Sequence, residues 1–132
     1  MGDWAIAASQ LEQLAQFAYD ERRIDEALSM LAEALLIKRE LDMPELIVES
    51  LCRFAYMLAM AGRAQVAAVL LAADQELREA IGGGFAWVAA NNSETLAKLR
   101  TQLDEATLEE AFAQGRKLRP DEAVAIALDA AE

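Results

Sequence analysis

The feature that most constrains this chain is an apolar pattern that recurs after forty residues. Within each copy the apolar residues are spaced by three and four, which is typical of one face of a helix. Each copy therefore predicts two helices, whose small residues let the backbones approach while the large residues fill the space between hairpins. Because a helical hairpin alone cannot bury both of its faces, the repeat predicts stacked hairpins. The two copies are Leu11, Leu14, Ala15, Ala18, Ala27 and Leu31, followed by Leu51, Phe54, Ala55, Leu58, Ala67 and Leu71.

Composition favours helices over strands. The 132 residues include 29 Ala and 19 Leu, whereas Val, Ile and Thr together number 14, a balance typical of helical proteins. Helix breakers and apolar spacing divide the chain into about seven helices within a single all-α domain. The predicted parts are hairpins at about 4–41 and 44–81, a linker at 82–91 that is either a loop or a short helix, and C-terminal helices at 92–131.

Individual residues mark the predicted ends of helices. Pro44 fits the first turn of the third helix, and Gly62 fits a left-handed cap behind it. Asn92 or Ser93 can begin a fifth helix, and Asp104 can cap a sixth that ends at Gln114 with Gly115 behind it.

Charge and residue types exclude several functions. The chain has 12 Lys and Arg against 23 Asp and Glu, a formal charge of −11, which argues against direct binding of nucleic acid. Without His and with one Cys, zinc sites, Ser/His/Asp systems and disulfides within one chain cannot form. We therefore expect no catalytic residues, no metal and no cofactor. The apolar runs are too short for a membrane span, and a cytoplasmic setting is expected.

The repeated residues resemble the tetratricopeptide repeat, a helical hairpin with large and small residues at this spacing. The resemblance implies a right-handed α-α superhelix that binds a protein or peptide. Two departures are the period of forty in place of about thirty-four, and Asp74 where the first copy has the small Ala34.

A second resemblance covers almost the whole chain. Its most distinctive part is Gly115-Arg116 followed by an Ala-Val-Ala-Ile-Ala helix at 123–127. The sequence resembles the C-terminal helical-repeat region of large bacterial transcriptional regulators that combine a signal-transduction NTPase module with a LuxR-type or winged-helix DNA-binding domain. The resemblance implies a segment that lacks those two modules and acts as their sensor or scaffold. The matching stretches are 1–7, 60–63, 67–74, 77–82, 108–116 and 120–128.

The tetratricopeptide resemblance also implies a binding groove on the first helix of each hairpin. In that groove Arg53 would pair with a carboxylate and Tyr56 would give an aromatic contact. The alternative is that these side chains cover a neighbouring helix of the same chain, such as a C-terminal one. The predicted face carries Ser9, Glu12, Gln13, Gln16 and Tyr19 in the first hairpin and Glu49, Cys52, Arg53, Tyr56 and Met60 in the second.

Other residues leave alternatives open. Phe85 and Trp87 can insert into the core or contact a partner. Cys52, between large apolar residues, is expected to be a small buried hydrophobe. Exposed stripes at the end of the repeat array make a homodimer a further hypothesis. A different class of function is a small-molecule effector pocket, lined by Tyr56, Met57, Met60 and Trp87.

Overall fold

The computed structural model describes residues 2–82 and 86–132, and all of their regular structure is helical. The prediction of an all-α chain with about seven helices is confirmed, while the right-handed superhelical path stays a prediction. The helices are α1 (Gly2–Asp20), α2 (Ile24–Leu41), α3 (Pro44–Met60), α4 (Ala64–Ala80), α5 (Ala86–Gln102), α6 (Glu105–Arg116) and α7 (Pro120–Ala130). Within the described ranges, none of these helices has both the length and the apolar character needed to cross a membrane.

The turns of the first two hairpins, α1–α2 and α3–α4, repeat one backbone geometry. Arg23 N donates to the carbonyl of Ala18 at 2.8 Å, and Arg63 N donates to that of Leu58 at 2.9 Å. Gly62 has φ +86°, as its predicted left-handed cap requires, and Arg22 holds the equivalent position at φ 65°. The forty-residue period is therefore present in the backbone as well as in the sequence.

Helix α5 continues the forty-residue period, but α5 and α6 do not pack along each other as the helices of the first two hairpins do. Val88 and Thr95 on α5 are buried, as are Val48 and Ala55 forty residues earlier. Helix α5 packs on α3 and α4, and α6 packs on α4. Within the predicted linker at 82–91, for which the sequence allows a loop or a short helix, residues 86–91 are helical and form the first part of α5.

The predicted ends of the fifth and sixth helices are corrected in part. Asn92 and Ser93 lie inside α5 rather than at its start. Asp104 caps α6 as predicted, with its Oδ1 accepting from Thr107 N at 2.7 Å. Gly115 lies within α6 rather than behind it. A Cβ at Gly115 would overlap the carbonyl oxygen of Val69, so this glycine allows α6 to lie close to α4.

The core lies between the hairpins, with α7 packed against α2, α3 and α4. The predicted inward residues of α2 and α3 are buried, including Leu31 and Phe54. On α1, Leu14 is 52% exposed, so its prediction as a filler between hairpins is wrong.

Candidate functional site

A buried polar cluster lies where α1, α2 and α3 meet. Glu12 Oε2 accepts hydrogen bonds from Lys38 Nζ at 2.8 Å and from Ser50 Oγ at 2.7 Å. The side chains of Glu12 and Lys38 are each 3% exposed. The prediction that Glu12 lines an accessible groove is therefore wrong, since its carboxylate is used inside the helix stack.

Two further charged groups connect this cluster to the surface. Lys38 Nζ lies 3.5 Å from Glu49 Oε1, and Arg53 Nε lies 3.9 Å from Glu12 Oε1. The formal charges of the two acids and two bases cancel. Burial raises the pKa of Glu49, and the nearby Lys38 opposes that shift. Glu49 and Arg53 are partly exposed, so both remain candidates for contact with a partner.

Arg53 and Trp87 are brought together although they lie 34 positions apart. The guanidinium carbon of Arg53 lies 4.7 Å from the centroid of the Trp87 ring, a cation–π distance. Arg53 Nε is buried and finds no hydrogen-bond partner within residues 2–82 and 86–132. Trp87 is still 38% exposed, so it forms an edge of the surface beside Arg53. Phe85, paired with it in the sequence prediction, lies outside the described residues.

An aromatic pair lies on the same side of α1 and α3. The ring centroids of Tyr19 and Tyr56 are 5.7 Å apart with a tilt of 59°. Burial, and then the neighbouring Tyr56, raise the pKa of Tyr19 to about 12, so its hydroxyl stays protonated. Met60 and Tyr19 also line a depression of about 420 Å³. Three of the predicted groove residues therefore lie together.

The two glutamines of the predicted groove lie on α1, nearer to its N-terminus than Tyr19. Gln16 Nε2 donates to Asp20 Oδ1 at 3.0 Å, and Gln13 is exposed. Together with the residues above they define what we call the α1–α3 surface. It consists of Gln13, Gln16, Tyr19, Glu49, Arg53, Tyr56 and Met60.

Cys52 is covered by the chain itself. Asn91 Nδ2 on α5 contacts Cys52 Sγ at 3.0 Å, and the thiol is fully buried. Burial raises the pKa of the Cys52 thiol to about 12. The expectation of a small buried residue is confirmed, whereas its place on the binding face is wrong. At this position the alternative holds, since a later helix covers the face.

A second buried polar pair was not predicted from the sequence. Asn92 Nδ2 on α5 donates to Asp74 Oδ2 on α4 at 2.7 Å, and both side chains are buried. Burial raises the pKa of Asp74 to about 6, while the bond from Asn92 opposes the shift. Two features of the sequence could have indicated this pair. Asp74 stands where the first copy of the repeat has Ala34, and Asn92 lies eighty residues, or two periods, after Glu12.

The side chains of the α1–α3 surface can contact a binding partner. Met57 lies in the core, so it cannot line the predicted effector pocket with its three surface neighbours. Within the described ranges no three Cys, Asp or Glu side chains are placed to hold a metal ion.

The structure therefore belongs to the class of all-helical proteins built from stacked hairpins. No protein-family model, curated protein or solved structure matches this chain.

Proposed function

We propose that this chain is a non-catalytic protein-interaction domain that binds a segment of a partner protein on the α1–α3 surface. The observation that carries the proposal is the position of Arg53. Its Nε lies 3.9 Å from the buried Glu12, and Trp87 covers one face of the guanidinium. A guanidinium held in this way loses little side-chain freedom when it binds.

The expected contact for Arg53 is a carboxylate. The 3.9 Å separation from Glu12 exceeds the distance of a charge-assisted hydrogen bond. The Nε atom of Arg53 is buried, whereas the side chain as a whole is 28% exposed, so a partner would bind the exposed part of the guanidinium. An aspartate, a glutamate or a chain terminus fits the planar fork of a guanidinium.

The rest of the α1–α3 surface suits a peptide or a helix. Tyr19 and Tyr56 supply rigid aromatic contact area, and Met60 supplies an adaptable apolar one. Exposed Gln13 and half-buried Gln16 provide hydrogen-bonding groups along α1. A partner segment with apolar side chains and an acidic group would be complementary to this surface.

We place this interaction in a bacterial transcriptional regulator in the cytoplasm. The support is the sequence resemblance, chiefly Gly115-Arg116 and the Ala-Val-Ala-Ile-Ala helix at 123–127. Binding of a partner to one state of the regulator would bias an attached NTPase between its states, because a ligand shifts an equilibrium by its differential affinity. The coding sequence that flanks this chain tests the assignment, since an adjacent NTPase or DNA-binding module is expected.

Peptide selection tests the Arg53 contact. A displayed library of random peptides is selected against the unmodified chain, and the enriched peptides are titrated against Arg53→Glu. We expect the peptides to carry a carboxylate and to bind Arg53→Glu at least about tenfold more weakly. Arg100→Glu is the matched control, because Arg100 is exposed on α5. Equal affinity for the Arg53→Glu and Arg100→Glu variants would remove Arg53 from the site.

A small-molecule effector is the alternative function. The depression beside Tyr19 and Met60 has a volume of about 420 Å³, within the range of ligand pockets. A panel of metabolites can be screened by the intrinsic fluorescence of Trp87 in a Trp4→Phe background. A saturable response to one metabolite, with no peptide enriched, would favour the effector over the protein partner.

A further inference from the structure

The face of α1 turned away from the helix stack is unusually apolar. Ile6 is 57% exposed, Leu14 52% and Phe17 67%. The opposite face of the same helix buries Ala8, Ala15 and Ala18 completely. We call Ile6, Leu14 and Phe17 the outer α1 face. Exposed apolar clusters of this kind mark contact surfaces on proteins.

An apolar depression lies on another side of α1, where it meets the C-terminal half of α2. It has a volume of about 550 Å³ and is lined by Trp4, Leu36, Ile37, Glu40 and Leu41. Of the eight large hydrophobic side chains that are exposed in the described residues, five lie on α1 and α2. The exposed apolar surface is therefore concentrated on the first hairpin.

The dimensions of the outer α1 face fit a helix. Ile6 and Phe17 are separated by eleven residues, which is about 16 Å along a helix axis. They lie in one row with Gln10 and Gln13, at spacings of four, three and four. A helix packed along this row would contact Ile6 and Phe17 near its ends and the two glutamines between them, with Leu14 beside the row.

The charges on α1 indicate whether its outer face binds a second copy of this chain or a different partner. α1 contains Asp3, Glu12 and Asp20 but no Lys or Arg. In an antiparallel pair of α1 helices Asp3 would meet Asp20, and in a parallel pair each would meet itself. Each copy also carries a charge of −11, so two copies repel each other. Asp3 and Asp20, near the two ends of α1, are exposed, which favours a basic partner.

We propose that the outer α1 face binds an amphipathic helix of a partner protein whose apolar stripe is flanked by Lys and Arg. The apolar stripe would cover Leu14 and Phe17, and the basic flanks would approach Asp3 and Asp20. This face adjoins the α1–α3 surface at Gln13 and Gln16, but its proposed contacts do not include Arg53.

Synthetic helices of 18 residues test the proposal by fluorescence anisotropy at physiological salt. The first peptide has Leu on one face and Lys on the other, the second is a scrambled version with the same composition, and the third has Glu in place of Lys. We expect only the first to bind. Phe17→Gln and Leu14→Gln should each weaken its binding by about tenfold or more. Ile81→Gln, a change at an exposed apolar residue on α4, should leave it unchanged.

Several results would overturn this proposal. Equal binding of the scrambled peptide would show that charge alone is responsible, and equal binding of the Glu peptide would show that charge is irrelevant. Failure of the first peptide to bind would remove the site. A dimer in sedimentation that is lost in Phe17→Gln would make a second copy the occupant. Arg53→Glu distinguishes the two proposals, since it should weaken the selected peptides of the α1–α3 surface but not the Lys peptide.

Discussion

The first and second hairpins share one turn geometry but differ in what surrounds them. Leu14 on α1 is half-exposed, whereas Phe54, its equivalent on α3, is fully buried. The second hairpin contacts the first hairpin through α2 and also contacts α5 and α6. The same apolar pattern therefore produces a core residue in one hairpin and a surface residue in the other, because burial depends on the neighbouring hairpin.

The buried polar groups differ in the same way. Beside the first hairpin, Glu12 is neutralised by Lys38 and accepts a bond from Ser50. Between α4 and α5, Asp74 receives one bond from the neutral amide of Asn92. Cys52 occupies the position equivalent to Glu12. The cluster around Glu12 therefore contains paired charges, whereas Asp74 is a buried acid whose charge is poorly compensated.

The largest expected effect on stability follows from removing the basic partner of the buried Glu12. Lys38→Met leaves Glu12 buried without its main partner, so the free energy of unfolding should fall by about 3–5 kcal/mol. Urea unfolding measures this loss. Arg39→Met is the matched control, because Arg39 is the exposed neighbour. The double variant Glu12→Leu, Lys38→Met should recover most of the stability, and a double variant as unstable as Lys38→Met would contradict the paired-charge account.

The buried Asp74 between α4 and α5 should make the free energy of unfolding depend on pH. The pKa of Asp74 is about 6 in the folded chain against an ordinary value of 3.8, so the folded state binds the proton more tightly. Its contribution is therefore most favourable below pH 4 and is lost as pH rises through 6. At pH 7 the loss is roughly 3 kcal/mol, given 1.36 kcal/mol per pKa unit.

The measurement is urea unfolding between pH 4 and pH 7 for the unmodified chain and for Asp74→Asn, with the two curves subtracted. Subtraction removes the carboxylates common to both. The groups that face Asp74 are Cys52 on α3, Arg78 on α4 and Asn92 on α5. Curves that stay parallel across this range would show that Asp74 keeps an ordinary pKa.

Local spacing predicted the hairpins but not the pairings between them. The positions of Leu31 and Phe54 in the core, and the cap at Asp104, follow from residues within one or two turns. The burial of Glu12 depends on Lys38, 26 residues away, and a charged residue read alone is expected at the surface. The start of α5 was missed because three glycines precede an apolar run with weak helical periodicity.

The candidate site was predicted in part for the same reason. Tyr19, Tyr56 and Met60 lie on the exposed side of helices that were identified correctly. Cys52 was misplaced on the binding face because Asn91 on α5 covers it, which agrees with the alternative of a covering C-terminal helix. The contact of Arg53 with Trp87 joins α3 to α5, so no pattern within either helix could indicate it.

Equivalent small residues compare the packing of the two hairpins. Ala27→Leu and Ala67→Leu should each destabilise the fold by about 1–3 kcal/mol through overpacking, since both alanines are fully buried. Ala67→Leu should cost more, because α4 also packs against helices α5, α6 and α7. Thermal unfolding midpoints measure both, and midpoints that do not move would contradict close helix contacts at these positions.

The smallest expected effect is at Leu14. Because its side chain is half-exposed, Leu14→Ala should change the free energy of unfolding by no more than about 0.5 kcal/mol. Phe54→Ala, the equivalent change in the second hairpin, should cost about 3–5 kcal/mol. Urea unfolding of the two variants at a concentration where the chain is monomeric measures the contrast. A large loss in Leu14→Ala would mean that its side chain packs inside the fold, and the outer α1 face would then not be a free contact surface.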